Sequence, residues 1–207
     1  CGVAWNQGIL ALQAEWTVIM NNDVLVAPDW IENLINIAEQ HHLKIISPAL
    51  IEGELDYDFD AFATNATAKM KEVLRVGARH AVCIAIHESV WREIGYFQPE
   101  PSLWGYEDTL FFNKAEKAHI PMAITGASWL HHYGSITQKA MKQERGLSNK
   151  DGLGNRHNYR LLQQSWLERK LKKVNRIKKE REWKEHEISQ FGLSLHGLRE
   201  NGSFSWL

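Results

Sequence analysis

Three short polar clusters hold residue types that can do chemistry together: Asn21-Asn22-Asp23, Glu107-Asp108 and His131-His132. Asp23 and one of the two histidines would supply an oxygen and an imidazole nitrogen to a divalent ion. That mixed donor set suits Mn2+ and, with more water, Mg2+. An ion held there would neutralise charge growing on a leaving diphosphate. Asp108 or Glu107 would take the proton of an incoming hydroxyl. Metal, leaving phosphate and carboxylate base together describe transfer of a group from an activated donor. Each cluster alone has an ordinary structural reading: an Asx turn, an acidic helix start favoured by the dipole, a half-buried histidine pair. It is their common placement that points to a site.

That placement comes from the surrounding elements. Residues 3–14 have a helical pattern, and Trp16–Met20 is a short apolar, β-branched run that reads as a buried strand. Pro28 suits a first helical turn, with Ile31, Leu34, Ile35 and Ala38 at helical spacing behind it. Lys44–Leu50 is the next strand, and strand, helix, strand in this order predicts a βαβ unit in a mostly parallel sheet flanked by helices. Further strands are expected at His80–Ile86 and Pro121–Ala127, and helices at Glu88–Ile94 and Glu107–His119. All three polar clusters then fall at loops beyond strand ends, where open α/β sheets bind ligands. Glu52, Glu54, Asp56, Asp58 and Asp60 lack the glycine and spacing of a calcium loop and read as a solvated excursion.

The 207 residues, 44% hydrophobic and 24% charged, are enough for a packed core and exclude wholesale disorder. No apolar run reaches the ~20 residues of a membrane span. Two cysteines, Cys1 and Cys83, make neither a disulfide framework nor a zinc site, which suits a reducing, cytoplasmic setting. Cys83 reads as a core thiol. Of the nine tryptophans, Trp5, Trp16, Trp30, Trp91 and Trp129 fit the core, while Trp104 stands beside the acidic pair and is a candidate for substrate contact. The net charge of -1 conceals an asymmetry: residues 1–139 carry 9 Lys+Arg against 17 Asp+Glu, and residues 140–207 carry 15 against 8. Two regions are therefore expected, 1–139 and 140–207, with a loop over Gly146–Gly154.

Asn6-Gln-Gly8, Trp16-Thr-Val-Ile-Met-Asn-Asn-Asp-Val24 and Pro28-Asp-Trp30 resemble the middle of a family 2 glycosyltransferase of GT-A (Rossmann-like) fold. Gly105-Tyr-Glu-Asp108 before an apolar helix is similar to that family's acidic motif, and Trp129-Leu-His-His-Tyr-Gly-Ser135 to its late histidine motif. The resemblance spans roughly residues 1–139. It implies inverting transfer of a sugar from a nucleotide-sugar to a hydroxyl, on a glycan or lipid-linked saccharide, in a setting such as envelope polysaccharide biosynthesis. The family's Asp-x-Asp motif falls on Asn21, Asn22 and Asp23, which would face the nucleotide and its metal, with Asn at the first position. The general base falls on Asp108 with Glu107 beside it, the acceptor contact on Trp104 and Gly105, and the late metal ligand on His131 or His132, with His131 preferred. Because the chain opens on Cys1 inside a helix-like segment, it is expected to be a fragment lacking the first βαβ segment and its nucleoside-binding loop, and poorly active alone. The rival readings are a non-catalytic glycosyltransferase-like binding protein and a hydrolase of nucleoside diphosphate derivatives.

In the basic C-terminal helical tail, Leu167, Leu171, Val174 and Ile177 form one stripe among Arg169, Lys170, Lys172, Lys173, Arg176, Lys178 and Lys179. The first expectation is a helix that packs this stripe on the catalytic domain or into a short coiled coil. The alternative is peripheral contact of residues 166–184 with anionic lipid at the inner face of a membrane. Nucleic acid is not expected, since no aromatic platform accompanies the charge.

Overall fold

The computed structural model describes residues 2–99, 107–134, 136–146 and 164–207. The helices among them are α1 (Gly2–Leu12), α2 (Trp30–Gln40), α3 (Phe59–Met70), α4 (Glu88–Ile94), α5 (Glu107–Lys117), α6 (Ile136–Arg145) and α7 (Trp166–Phe191). The strands are β1 (Trp16–Met20), β2 (Val24–Val26), β3 (Ile45–Gly53), β4 (Leu74–Val76), β5 (Cys83–His87), β6 (Met122–His132), β7 (His196–Glu200) and β8 (Ser203–Trp206). They form one sheet of order β1-β5-β3-β6-β2, with β4 also on β6 and the β7–β8 hairpin on β3.

This α/β sheet is mixed, which corrects the expectation of a mostly parallel one. β3 is parallel to β6 and to β7, whereas β5 lies between β1 and β3 and is antiparallel to both. β1 and β3 thus run the same way, as a strand-helix-strand unit requires, but they are not neighbours. β2, β4 and β8 each pair antiparallel as well. β1, β3, β6 and β7 run one way, and β2, β4, β5 and β8 the other.

β3 is apolar along its length because both faces are covered. Ile45, Ala49 and Ile51 lie on one face. Ile45 packs with Ile9, Val90, Trp91 and Phe111 of α1, α4 and α5, and Ile51 with Phe59, Ala63 and Met70 of α3. Ile46 lies on the other face with Leu34 and Ala38 of α2. α2 begins two residues after Pro28, at Trp30, because Asp29 takes a left-handed conformation (φ 55°) that aspartate tolerates. Trp129 is fully buried and Trp91 nearly so, while Trp5, Trp16 and Trp30 pack against the core edges. Cys83 is buried, and burial pushes its thiol up to about 12.

β6 runs on through the histidine pair instead of stopping at Ala127. Between Pro48↔Thr125 and Ala49↔Trp129 its register with β3 shifts, so Gly126, Ala127 and Ser128 bulge out. The bulge is pinned: the Thr125 hydroxyl accepts the Ala127 N–H at 3.1 Å, and the Trp129 indole donates to the Gly126 carbonyl at 2.9 Å. A Cβ at Gly126 would stand 2.4 Å from the Met70 carbonyl oxygen, so no larger residue fits.

The tail is helical only in part. Ser165 and Glu168 form a capping box at the start of α7, and Gly192 ends it. The chain then buries Leu193 and Leu195 and adds β7 to the sheet. α7 is held through its polar side, by Lys172 on Glu116 (3.1 Å), Lys179 on the Val76 carbonyl (3.1 Å) and Arg75 on Glu187 (2.7 Å). Its apolar stripe does not pack on the sheet domain, contrary to expectation: Leu167, Leu171, Val174 and Ile177 are each more than half exposed. Among the described residues no helix is long and apolar enough to cross a membrane.

Candidate active site

The co-directional strands β1, β3 and β6 bring their carboxyl ends to one side of the sheet. There β1 leads into Asn21-Asn22-Asp23, β3 ends with Glu52 and Gly53, and β6 ends with His131 and His132. β2 pairs Val24 with His132, which fixes Asp23 next to the end of β6. The Asp23 carbonyl accepts the Tyr133 N–H at 3.1 Å, and its Oδ2 accepts the Ile136 N–H at 3.3 Å at the start of α6. Its Oδ1 lies 3.3 Å from Nε2 of His132. On the other side of that ring, Nδ1 is 3.5 Å from Oε1 of Glu52, whose Oε2 is 3.8 Å from Nε2 of His196. The result is a line of alternating acid and imidazole: Asp23, His132, Glu52, His196. His132, with His196 after it, holds the Glu52 carboxyl far below the usual carboxylate range. Glu52, and then Asp23, raise the His132 imidazole above its ordinary value against the opposing effect of burial.

His131 faces the opposite side of the strand, as alternation requires. Its Nδ1 is hydrogen-bonded with the Tyr57 hydroxyl at 2.9 Å, and the ring meets Tyr57, Phe59 and Tyr133 edge-on. Burial lowers its pKa, so it is kept neutral. The structure therefore brings His132, and not His131, beside Asp23. Asn21 is half-buried, its N–H donating to the Val82 carbonyl at 2.8 Å, and Asn22 is exposed.

Glu107 and Asp108 open α5, where the helix dipole favours their negative charge. Their side chains part. Glu107 is 6% exposed and accepts the Gly2 N–H at 3.0 Å, which ties α5 to the start of α1. Asp108 is half-buried and accepts the N–H of Thr109 at 2.7 Å and its hydroxyl at 3.4 Å. Desolvation raises the Asp108 carboxyl above its ordinary value despite those bonds. Among the described residues no hydrogen bond or ion pair joins either acid to Asp23 or His132. Trp104 and Gly105 lie outside the described residues.

Asp23 and His132 fit a divalent ion as a pair of ligands. Both ring nitrogens of His132 are buried and neither makes a well-formed hydrogen bond; Nε2 faces the Asp23 carboxylate at 3.3 Å. Donor atoms at right angles around an ion, at roughly 2.1–2.3 Å, lie about 3.0–3.3 Å apart, and the two side chains already have that separation. No group of three or more His, Cys, Asp or Glu side chains gathers for a metal among the described residues. Substrate oxygens and water would fill other positions on such an ion, as on catalytic Mg2+.

The sequence pattern of glycosyl transferase family 2 matches residues 1–116, more than half of the chain. The chain belongs to this family. Glycosyl transfer is then its reaction class, with a nucleotide-sugar donor and an acceptor as substrates. Among curated proteins none matches the chain. The match covers the Asp23 cluster and the acidic pair, and stops before the histidines. Glu52, His196 and Tyr57 escaped the sequence reading. Glu52 and Tyr57 sit in the stretch read as solvated, and His196 in a strand whose only sequence signal is the Asn201-Gly202 turn that follows it.

Proposed function

We propose that this family 2 glycosyltransferase moves a sugar with inversion from a nucleotide-sugar to a hydroxyl of a glycan or lipid-linked saccharide. Asp23 and His132 would hold Mn2+ or Mg2+ against the donor diphosphate. The ion, when bound, neutralises charge on the departing nucleoside diphosphate. Glu52 keeps the His132 ring oriented from its far nitrogen, as carboxylates commonly do for ligating histidines. Asp108 takes the acceptor proton as the hydroxyl oxygen attacks the anomeric carbon from the face opposite the leaving group. A half-buried carboxylate whose basicity desolvation raises suits this role, because it accepts a proton more readily. Glu107 supports it from behind, fixing the first turn of α5 on α1.

The observation that carries this reading is the pairing of Asp23 with His132 across two strands. The test is donor turnover by the chain expressed from its native gene, with products separated in the presence and absence of acceptor. Asp108→Asn is expected to lower transfer by about 10²–10⁴-fold while donor affinity stays the same. Unchanged transfer would remove Asp108 from the role, and sugar released to water regardless of acceptor would mark a hydrolase.

A further inference from the structure

α7 is an amphipathic helix mounted the wrong way round for a surface helix. Such helices ordinarily bury the apolar stripe and leave charge in water. Here the polar side is docked, through Lys172 on Glu116, Lys179 on the Val76 carbonyl, Arg75 over the Trp183 ring and the buried Glu187. At about 100° per residue, the centre of the stripe lies roughly 180° round the helix from the centre of that docking set. Trp166, Leu167, Leu171, Val174 and Ile177 are accordingly exposed by 62%, 61%, 62%, 55% and 51%. They form an outward apolar strip about 17 Å long.

The charge around the strip selects its partner. Residues 166–179 contain seven Lys and Arg against Glu168; Lys172 and Lys179 are taken up in docking and Arg176 and Lys178 pair with Glu180 and Glu182, which leaves Lys170 and Lys173 beside the strip. Lys170 and Lys178 project from the apolar sector itself, and the Lys170 ammonium lies 5.1 Å from the centre of the Trp166 ring. Their stems can lie along apolar surface while their heads reach outward. We propose that α7 lies flat on an anionic lipid surface, with these five apolar side chains at the headgroup–acyl boundary and Lys170 and Lys173 on lipid phosphates. Tryptophan at one end of the strip suits that boundary. A second copy of the chain fits less well. Burying strip on strip about a two-fold axis centres the pair on residues 166–177 and sets each basic cluster against its own image. Beyond Ile177 the same sector continues with Lys178, Arg181 and Glu185, so a longer coiled coil has no seam.

The test is co-sedimentation of the full chain with vesicles of phosphatidylcholine alone and of equal parts phosphatidylcholine and phosphatidylglycerol, at low and high salt. Binding is expected to the anionic vesicles, weakened by salt. It should fall at least about tenfold both in Leu171→Glu/Val174→Glu and in Lys170→Glu/Lys173→Glu, since apolar burial and charge each contribute. These side chains are exposed, so circular dichroism and melting should match the parent chain. Three results overturn the proposal: equal binding to neutral vesicles, binding by the folded parent chain that neither double variant lowers, or no binding by it at all. A concentration-dependent doubling of mass abolished by Leu171→Glu/Val174→Glu, without vesicle binding, would assign the strip to a second copy instead.

Discussion

Replacing Glu187 with Leu should unhinge the C-terminal part of the sheet, and its cost can be worked from the structure. Glu187 and Arg75 form a two-pronged pair, Nε to Oε1 at 2.8 Å and an outer guanidinium nitrogen to Oε2 at 2.7 Å, with the side chains 2% and 5% exposed. Oε2 also accepts the Leu195 N–H at 2.9 Å, and the guanidinium donates to Ser194 Oγ at 2.6 Å. Glu187→Leu leaves a buried guanidinium without its counter-ion, which costs about 3–5 kcal/mol. For a chain of this size that lowers the melting temperature by roughly 6–20 °C. The double variant Arg75→Met/Glu187→Leu removes both charges and should recover most of the loss. A residue of about 1–3 kcal/mol should remain, because the Leu195 N–H is still orphaned. Urea unfolding followed by tryptophan fluorescence gives all four corners of the cycle. If the double variant is no more stable than Glu187→Leu alone, the pair is not the hinge and the reasoning fails.

The assignment of metal ligands is tested by Mn2+ titration followed by paramagnetic resonance: Asp23→Ala and His132→Ala should each weaken binding at least about tenfold, whereas His131→Ala should leave it within about twofold while losing the Tyr57 hydrogen bond. Equal losses in the two histidine variants would refute the division between the two faces. Gly126→Ala should destabilise the chain by more than about 3 kcal/mol, since its Cβ meets backbone rather than a flexible side chain, and a normal melting temperature would show that the bulge can yield. His80 donates from Nε2 to the Pro48 carbonyl at 2.7 Å, and burial pushes its pKa down to about 4. The unfolded chain therefore binds a proton that the folded one refuses. Stability contributed by this group is complete above about pH 6.5 and declines towards about pH 4, by at most about 1.4 kcal/mol per unit. His80→Gln keeps a donor without the titration and should flatten that decline. An unaltered slope would assign it to other groups.

Much of the fold is legible in the residues where burial is continuous. β1 and α4 occupy the spans that their apolar runs predict, and β3, β5 and α5 agree to within a few residues. β2 and β4, three residues each, are too short to display a period. The β7–β8 hairpin hides behind a polar first strand, His196-Gly-Leu-Arg-Glu200, although Asn201-Gly202, both at positive φ, is a strong hairpin turn. The acidic run at 52–60 looks solvated in composition, yet four of its five carboxylates have partners. Glu52 faces His132, Glu54 accepts the Asn201 N–H, Asp56 pairs with Arg199 and Asp58 caps α3. Apart from the α3 cap, those partners are distant in sequence, and charge alone does not reveal them. At the site, residue types identify Asp23 and the histidine pair. Which histidine turns towards Asp23 depends on the parity of β6 downstream of a three-residue bulge, and spacing within the motif carries no information about that.

β3 shares one of its edges between two strands. β5 takes Ile45 and Ile46, and β7 takes Leu50 to Gly53, pairing Leu50 with His196 across 146 positions of chain. At a synthesis rate of about 5–20 residues per second, the ribosome needs roughly 7–30 s to make the strand that completes this edge. For that time the emerging polypeptide displays a half-paired strand, and a neighbouring nascent chain could pair with it. Glu52, placed on that open stretch, gives it a charge that discourages such pairing until its histidine partners arrive. The same carboxylate thus serves the newborn chain before it serves the finished one.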